Sequence, residues 1–185
     1  MFYHLSRIET FQPFIFYTYQ SQKMNKLIIV TALFGIMQLP VRAQEPALNS
    51  VLNGYYKVKD ALVNSDSKAA AAAAADLLQS ITKIDMSAIP AKDHMAFMNL
   101  QNKLSFDSRH ISESTDINHQ REHFTSLSAN MSTLAKQAHL SQEPVYQEYC
   151  PMKKSYWLSS DTAIKNPYYG SSMPGCGKVT ATLKP

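Results

Sequence analysis

Residues 117–138 read INHQREHFTSLSANMSTLAKQA. At about 100° per residue, Ile117, Phe124, Leu127, Met131, Leu134 and Ala138 fall on one face about 100° wide, the pattern of a helix with one side in a core. Such a stripe needs partners, and the preceding sequence supplies them. Leu48, Val51, Leu52, Tyr55, Val58 and Leu62 recur at helical spacing until Asn64-Ser65-Asp66 breaks the run and offers a cap. Seven consecutive alanines, Ala69 to Ala75, lead into Leu77, Leu78, Ile81 and Ile84. Alanine has the highest helix propensity, and its small side chain lets a neighbouring helix approach closely. Pro90 suits the first turn of a third helix carrying Met95, Met98 and Leu104. A polar break, Ser112 to Asp116, then precedes the 117–138 stripe. Short breaks between such helices predict an all-α fold: an antiparallel four-helix bundle with helices near 46–64, 66–85, 90–111 and 116–140.

Beyond Ser141 the composition changes. Residues 145–180 hold the only tryptophan, both cysteines, three of the five glycines and five tyrosines. Asn166-Pro167 and the glycines punctuate this stretch into turns. The expectation is an irregular segment packed across one end of the bundle, with a single helical turn near Asp161–Lys165 and room for a hairpin.

The other end reads as a targeting segment. Asn25 and Lys26 follow Met24, Leu27 to Leu39 is a 13-residue apolar run without charge, and Val41-Arg42-Ala43 places small residues where a signal peptidase reads them. A spanning helix needs about 20 apolar residues, so a cleaved signal is favoured over a membrane anchor. The expected organisation is residues 1–23 as a start-codon over-call, 24–43 as a signal peptide cut near Ala43, and 44–185 as one periplasmic domain without stable membrane insertion. Of the 18 basic and 14 acidic residues, four (Arg7, Lys23, Lys26, Arg42) and one (Glu9) lie in 1–43. Residues 44–185 keep 14 basic and 13 acidic residues, a net charge of +1. The basic character of the whole chain belongs to its leader and gives no support for nucleic-acid binding.

Chemistry concentrates in the tail. Tyr149-Cys150-Pro151-Met152 and Met173-Pro174-Gly175-Cys176-Gly177 each set a thiol two or three residues from a thioether. Soft sulfur ligands suit Cu(I), and two to four of them complete a low-coordination site. Pro151 stiffens one loop, while Gly175 and Gly177 relieve crowding around Cys176. The competing explanation is a structural Cys150–Cys176 disulfide, whose loop of about 27 residues is worth about 3.5 kcal/mol by chain entropy. In an exported protein two cysteines usually pair, and methionine is more often core filler than ligand. Residue types alone leave both open.

A second constellation is His119 and His123, four apart on the fourth helix, with His94 and His110 on the helix before. Two imidazoles at this spacing can share a metal, although such a pair on a surface helix is usually solvated, and the zinc-hydrolase glutamate is missing between them. Enzymatic patterns are weak. The cysteines are 26 positions apart rather than two, and there is no nucleophile elbow or glycine-rich phosphate loop. The expectation is a non-enzymatic protein.

Several runs resemble a known family. Tyr149-Cys150-Pro151-Met152, Tyr156-Trp157-Leu158-Ser159, Ile164-Lys165-Asn166-Pro167-Tyr168-Tyr169-Gly170, Met173 and Cys176-Gly177 are similar to the family catalogued as domain of unknown function 3347. So are His110-Ile111-Ser112, Asp116-Ile117, Gln120-Arg121-Glu122-His123-Phe124 and Leu127-Ser128, over roughly residues 50–180 in all. That family occurs in exported proteins of Gram-negative bacteria, alone or fused to periplasmic adaptors of heavy-metal efflux pumps, and is associated with copper and silver. The resemblance implies a soft metal ion, most plausibly Cu(I), held by Cys150, Met152, Met173 and Cys176, with His123 in addition. It also implies buffering, or delivery to an efflux-pump adaptor. Many relatives carry histidine where this chain has Tyr149. The alternative remains a disulfide-stapled helical interaction module without metal.

Overall fold

The computed structural model describes residues 46–184; the leader, its cleavage point and residues 1–23 lie outside them. Four helices form within a few residues of the expected ranges: α1 (Asn49–Val63), α2 (Ser67–Thr82), α3 (Ala91–Ser112) and α4 (Ile117–Gln137). Their starts follow from capping. Asp66 accepts from the Ala69 N–H at 2.9 Å and Asp116 from the Asn118 N–H at 2.9 Å, each satisfying a donor that the first turn leaves unpaired. Pro90 occupies the N-cap of α3. The α4 stripe behaves as its spacing predicts, with Phe124, Leu127, Met131 and Leu134 fully buried. They meet Val51, Leu52, Tyr55, Val58 and Leu62 of α1, Ala70, Ala74, Leu77 and Ile81 of α2, and Phe97 and Leu104 of α3 in one core. Of the alanine tract, only Ala70 and Ala74 are buried. They share the face of Leu77 and Ile81, so the rest of the tract is helix-forming surface. Each helix packs on its sequence neighbour. No helix among the described residues is long and apolar enough to cross a membrane.

The fold is not all-α, and the tail is not irregular. Residues after Pro144 form a three-stranded antiparallel sheet of β1 (Val145–Cys150), β2 (Ser155–Ser159) and β3 (Lys178–Leu183) in the order β2-β1-β3. The sequence conceals these strands because their inward positions are not an apolar alternation. β1 buries Val145, Gln147, Glu148 and Cys150, and β3 is largely exposed. The register slips between Gln147 and Glu148, which pair with Ala181 and Val179, so Thr180 is the extra residue; its hydroxyl donates to the Gln147 carbonyl at 3.0 Å. The expected helical turn at 161–165 is a bend. The only helical turn in the tail is a 3-10 segment, Gly170–Ser172.

The sheet docks on the helices through a few side chains. β2 packs on α4, and the Tyr55 hydroxyl, itself paired with Ser128 Oγ at 2.8 Å, accepts the Leu158 N–H at 3.0 Å. That bond occupies a donor on an edge strand. Phe124 stacks on Tyr55 (centroids 5.3 Å apart) and meets Tyr168 at 5.8 Å. Arg121 donates from Nε to the Pro167 carbonyl (3.0 Å) and from Nη2 to the Leu62 carbonyl (3.1 Å) and Ser65 Oγ (2.9 Å). It ties the Asn-Pro loop to the α1–α2 junction. Gly170, with φ of +54°, fits against Ser65 and Arg121, where a Cβ would collide with both side chains.

Candidate metal centres

Cys150 ends β1 and Cys176 stands just before β3, so the pairing of β1 with both other strands brings the two halves of the Cys/Met motif together. Both thiols are free, and their Sγ atoms lie 3.9 Å apart. That is far beyond a disulfide bond of about 2.05 Å. It is close to the roughly 3.8 Å that separates two thiolates on a tetrahedral ion at about 2.3 Å. Cys150 is fully buried, and its sulfur accepts from Asn166 Nδ2 (3.2 Å) and the Lys153 N–H (3.4 Å). Cys176 is half-buried, and the Met152 N–H points to its sulfur. Burial and the adjacent Cys150 sulfur raise the Cys176 thiol above its ordinary value, so the thiolate is disfavoured until a cation offsets its charge.

Asn166 organises this corner. Besides Cys150 Sγ, its Nδ2 donates to the Cys176 carbonyl (2.6 Å), while its Oδ1 accepts the N–H groups of Tyr168 (2.8 Å) and Tyr169 (3.3 Å). Its own N–H reaches the Pro174 carbonyl at 2.9 Å. One buried amide therefore holds both cysteine loops and the Asn-Pro-Tyr-Tyr turn. Its value as a turn former was legible; its contact with the thiols was not. Of the two glycines near Cys176, only Gly177 is required by space. A Cβ there would lie 2.6 Å from the Trp157 ring, whereas one on Gly175 would meet nothing. Trp157 is fully buried and packs edge-on to Tyr168. Met152, in the hairpin turn after Cys150, is 62% exposed, and Met173, whose carbonyl accepts the Cys176 N–H at 3.3 Å, is 39% exposed. Their backbones adjoin Cys176, and both side chains are exposed.

His123 belongs to a different group. One ring nitrogen from each of His110, His119 and His123 lies within 4.8 Å of the others, all three side chains being half-buried. These residues could hold a metal ion. His110 comes from the last turn of α3, and His119 and His123 from the first two turns of α4. The His123 and His110 rings stack at 4.5 Å with 9° between planes, and His119 meets His123 edge-on at 4.7 Å. Asp107, nearly buried on α3, accepts from His123 Nδ1 at 3.1 Å. His123 and Cys150 share none of these partners. His94 is engaged elsewhere, with Nε2 donating to the carbonyls of Met86 (2.9 Å) and Ile89 (2.7 Å). The four-residue spacing of His119 and His123 signals half of the cluster. His110 and Asp107 join it only through the α3–α4 pairing, which spacing cannot show.

The Gln120-to-Phe124 run acquires separate tasks. Gln120 Nε2 donates to the carbonyls of Ser67 (2.8 Å) and Ser114 (2.6 Å), Arg121 clamps the tail, His123 joins the cluster and Phe124 fills the core. Residues 51–143 match the family described as "Protein of unknown function (DUF3347)", and the chain belongs to that family. The match spans the four helices and ends before β1, so the thiol corner lies outside it. No curated protein and no solved structure matches the chain.

Proposed function

We propose that this protein is an exported, non-enzymatic carrier of a soft monovalent cation, Cu(I) in the first instance, held as cargo between Cys150 and Cys176. The observation that carries this reading is the pair of free sulfurs at 3.9 Å, one fully buried and both supplied with backbone or amide donors. Thiolates provide the softness and negative charge that a soft cation prefers. Asn166 and the Lys153 N–H donate to the Cys150 sulfur that would face the ion, and Trp157 behind Gly177 keeps one side of the site dry. Met152 and Met173 are exposed and close in sequence to the two cysteines, and as flexible thioethers they would complete the coordination or pass the ion on. The leader of residues 24–43 supports export to the periplasm, and two exposed methionines near the cysteines in sequence suit exchange with an efflux-pump adaptor.

The same approach of the two sulfurs favours one other reading, a Cys150–Cys176 disulfide that staples the sheet without metal. Titrating the reduced, purified protein with Cu(I) against a competing chelator separates them. Carriage of Cu(I) predicts one equivalent bound, protection of both thiols from alkylation only when metal is present, and loss of tight binding in Cys150→Ser or Cys176→Ser. If the reduced protein binds Cu(I) no better than the double serine variant, the carrier reading fails. Thiols that resist alkylation without metal identify the staple.

A further inference from the structure

We infer that His110, His119 and His123 form a second metal site, independent of the thiols, for a borderline divalent cation of the Zn(II) or Cu(II) type. Three imidazole nitrogens from two adjacent helices, all within 4.8 Å, are an unusual arrangement for side chains with solvent available. Imidazole is the preferred ligand of this class of ion, and three histidines leave at least one coordination position open. At a metal–nitrogen distance of about 2.0 Å, ligand nitrogens in a tetrahedral site stand about 3.3 Å apart. The widest pair must therefore close by roughly 1.5 Å, within reach of half-buried side chains that can turn about χ1 and χ2.

Asp107 is the second, independent observation. A carboxylate only accepts, so its 3.1 Å contact makes Nδ1 the protonated nitrogen of His123 and leaves Nε2 with the lone pair a metal needs. A buried carboxylate behind a histidine is the standard device for orienting a metal-binding imidazole and strengthening its donor character. Phe106, 56% exposed, covers one side, its ring 4.3 Å from His110. Phe106 and Asp107 also line an open groove of about 400 Å³, in which none of the three histidines takes part. The consequence for the fold is a cross-link. An ion here joins the end of α3 to the start of α4 across the Glu113–Asp116 connection.

The test uses the full protein with Cys150→Ser and Cys176→Ser, so that the outcome does not depend on the thiol site. Zn(II) and Cu(II) are titrated separately, and Co(II) serves as a spectroscopic probe. One equivalent is expected, Cu(II) tighter than Zn(II) in the usual order of divalent affinities. The Co(II) spectrum should show nitrogen-ligand d–d bands without sulfur charge transfer. His119→Ala should weaken binding by at least about 100-fold, and Asp107→Asn by about 10- to 100-fold with the histidines intact. Should His119→Ala lose helicity by circular dichroism, His119→Gln, which keeps bulk and polarity, decides instead. Binding by either ion that needs all three histidines supports the site. Affinity unchanged by the His119 and Asp107 substitutions, or no binding above that of a His110/His119/His123 triple alanine variant, overturns it.

Discussion

Val51, Leu52, Val58 and Leu62 of α1 share one core with Phe124, Leu127 and Met131 of α4, aliphatic and aromatic surface with few directional bonds. Between the helices and the C-terminal segment the contacts are Arg121 on Pro167 and Tyr55 on Leu158, and within that segment Asn166 holds both cysteine loops. The first region is held by area and tolerates any apolar residue of suitable volume. The second is held by particular donors and acceptors whose loss leaves a buried group unpaired. Each region carries its own cluster of side chains that could hold a metal ion, histidine nitrogens on the helices and cysteine sulfurs beside the sheet.

The largest expected effect falls where the regions meet. Phe124 touches Tyr55 on one side and Tyr168 on the other, so Phe124→Ala should cost about 3–5 kcal/mol. Urea denaturation followed by far-ultraviolet circular dichroism and by Trp157 fluorescence should show both signals moving together. If the tail signal is unmoved, the sheet is stabilised independently of α4.

Next is Glu148, buried opposite Trp157 with neither carboxylate oxygen hydrogen-bonded. Burial raises its carboxyl from 4.5 to about 7, against the downward pull of the Lys59 charge. The folded protein therefore keeps a proton that the unfolded chain releases. That stability is complete below about pH 4.5 and is lost as pH rises through about 7, on the order of 3 kcal/mol in all. Glu148→Gln should flatten this decline and leave the protein more stable than the parent at pH 8. Denaturant midpoints at pH 5 and 8 measure it, and parallel curves for the two proteins would remove Glu148 as the cause.

Smaller again is Asn166→Ala, which strips the Tyr168 N–H and the Cys150 sulfur of their partner and should cost about 1–3 kcal/mol. Its diagnostic feature is locality. Cys150 should become readily alkylated in the reduced, metal-free variant while the helical circular dichroism is unchanged.

The same contrast explains what could be read from the sequence. The four helices were legible because burial on a helix repeats every 3.6 residues, and Phe124, Leu127, Met131 and Leu134 keep that period without exception. The strands were not, because β1 places Gln147, Glu148 and Cys150 inside, and a register slip interrupts the alternation that marks a strand. The union of Cys150 with Cys176 could be suspected from the matching Cys/Met runs, since each has a thiol beside a thioether. The histidine cluster was half visible. His119 and His123 share a helix, but His110 enters from another, and Asp107 looks like any charged helix residue until α3 is laid beside α4.

The smallest change in stability, under about 1 kcal/mol, is expected from Met152→Leu, since this side chain is 62% exposed and the two residues are close in volume. Its Cu(I) affinity should nevertheless fall, which thermal denaturation and chelator competition on the same sample would separate. A drop in melting temperature with unaltered affinity would make Met152 structural.

The division of labour between the two clusters is tested most directly by X-ray absorption at the copper edge of the full protein carrying one equivalent of Cu(I). The account predicts a first shell of sulfur alone, from Cys150 and Cys176 with thioether completing it, and an identical spectrum for His123→Ala. An imidazole shell around Cu(I) that disappears in His123→Ala would show that nitrogen and sulfur serve one site, and would contradict the separation of the two.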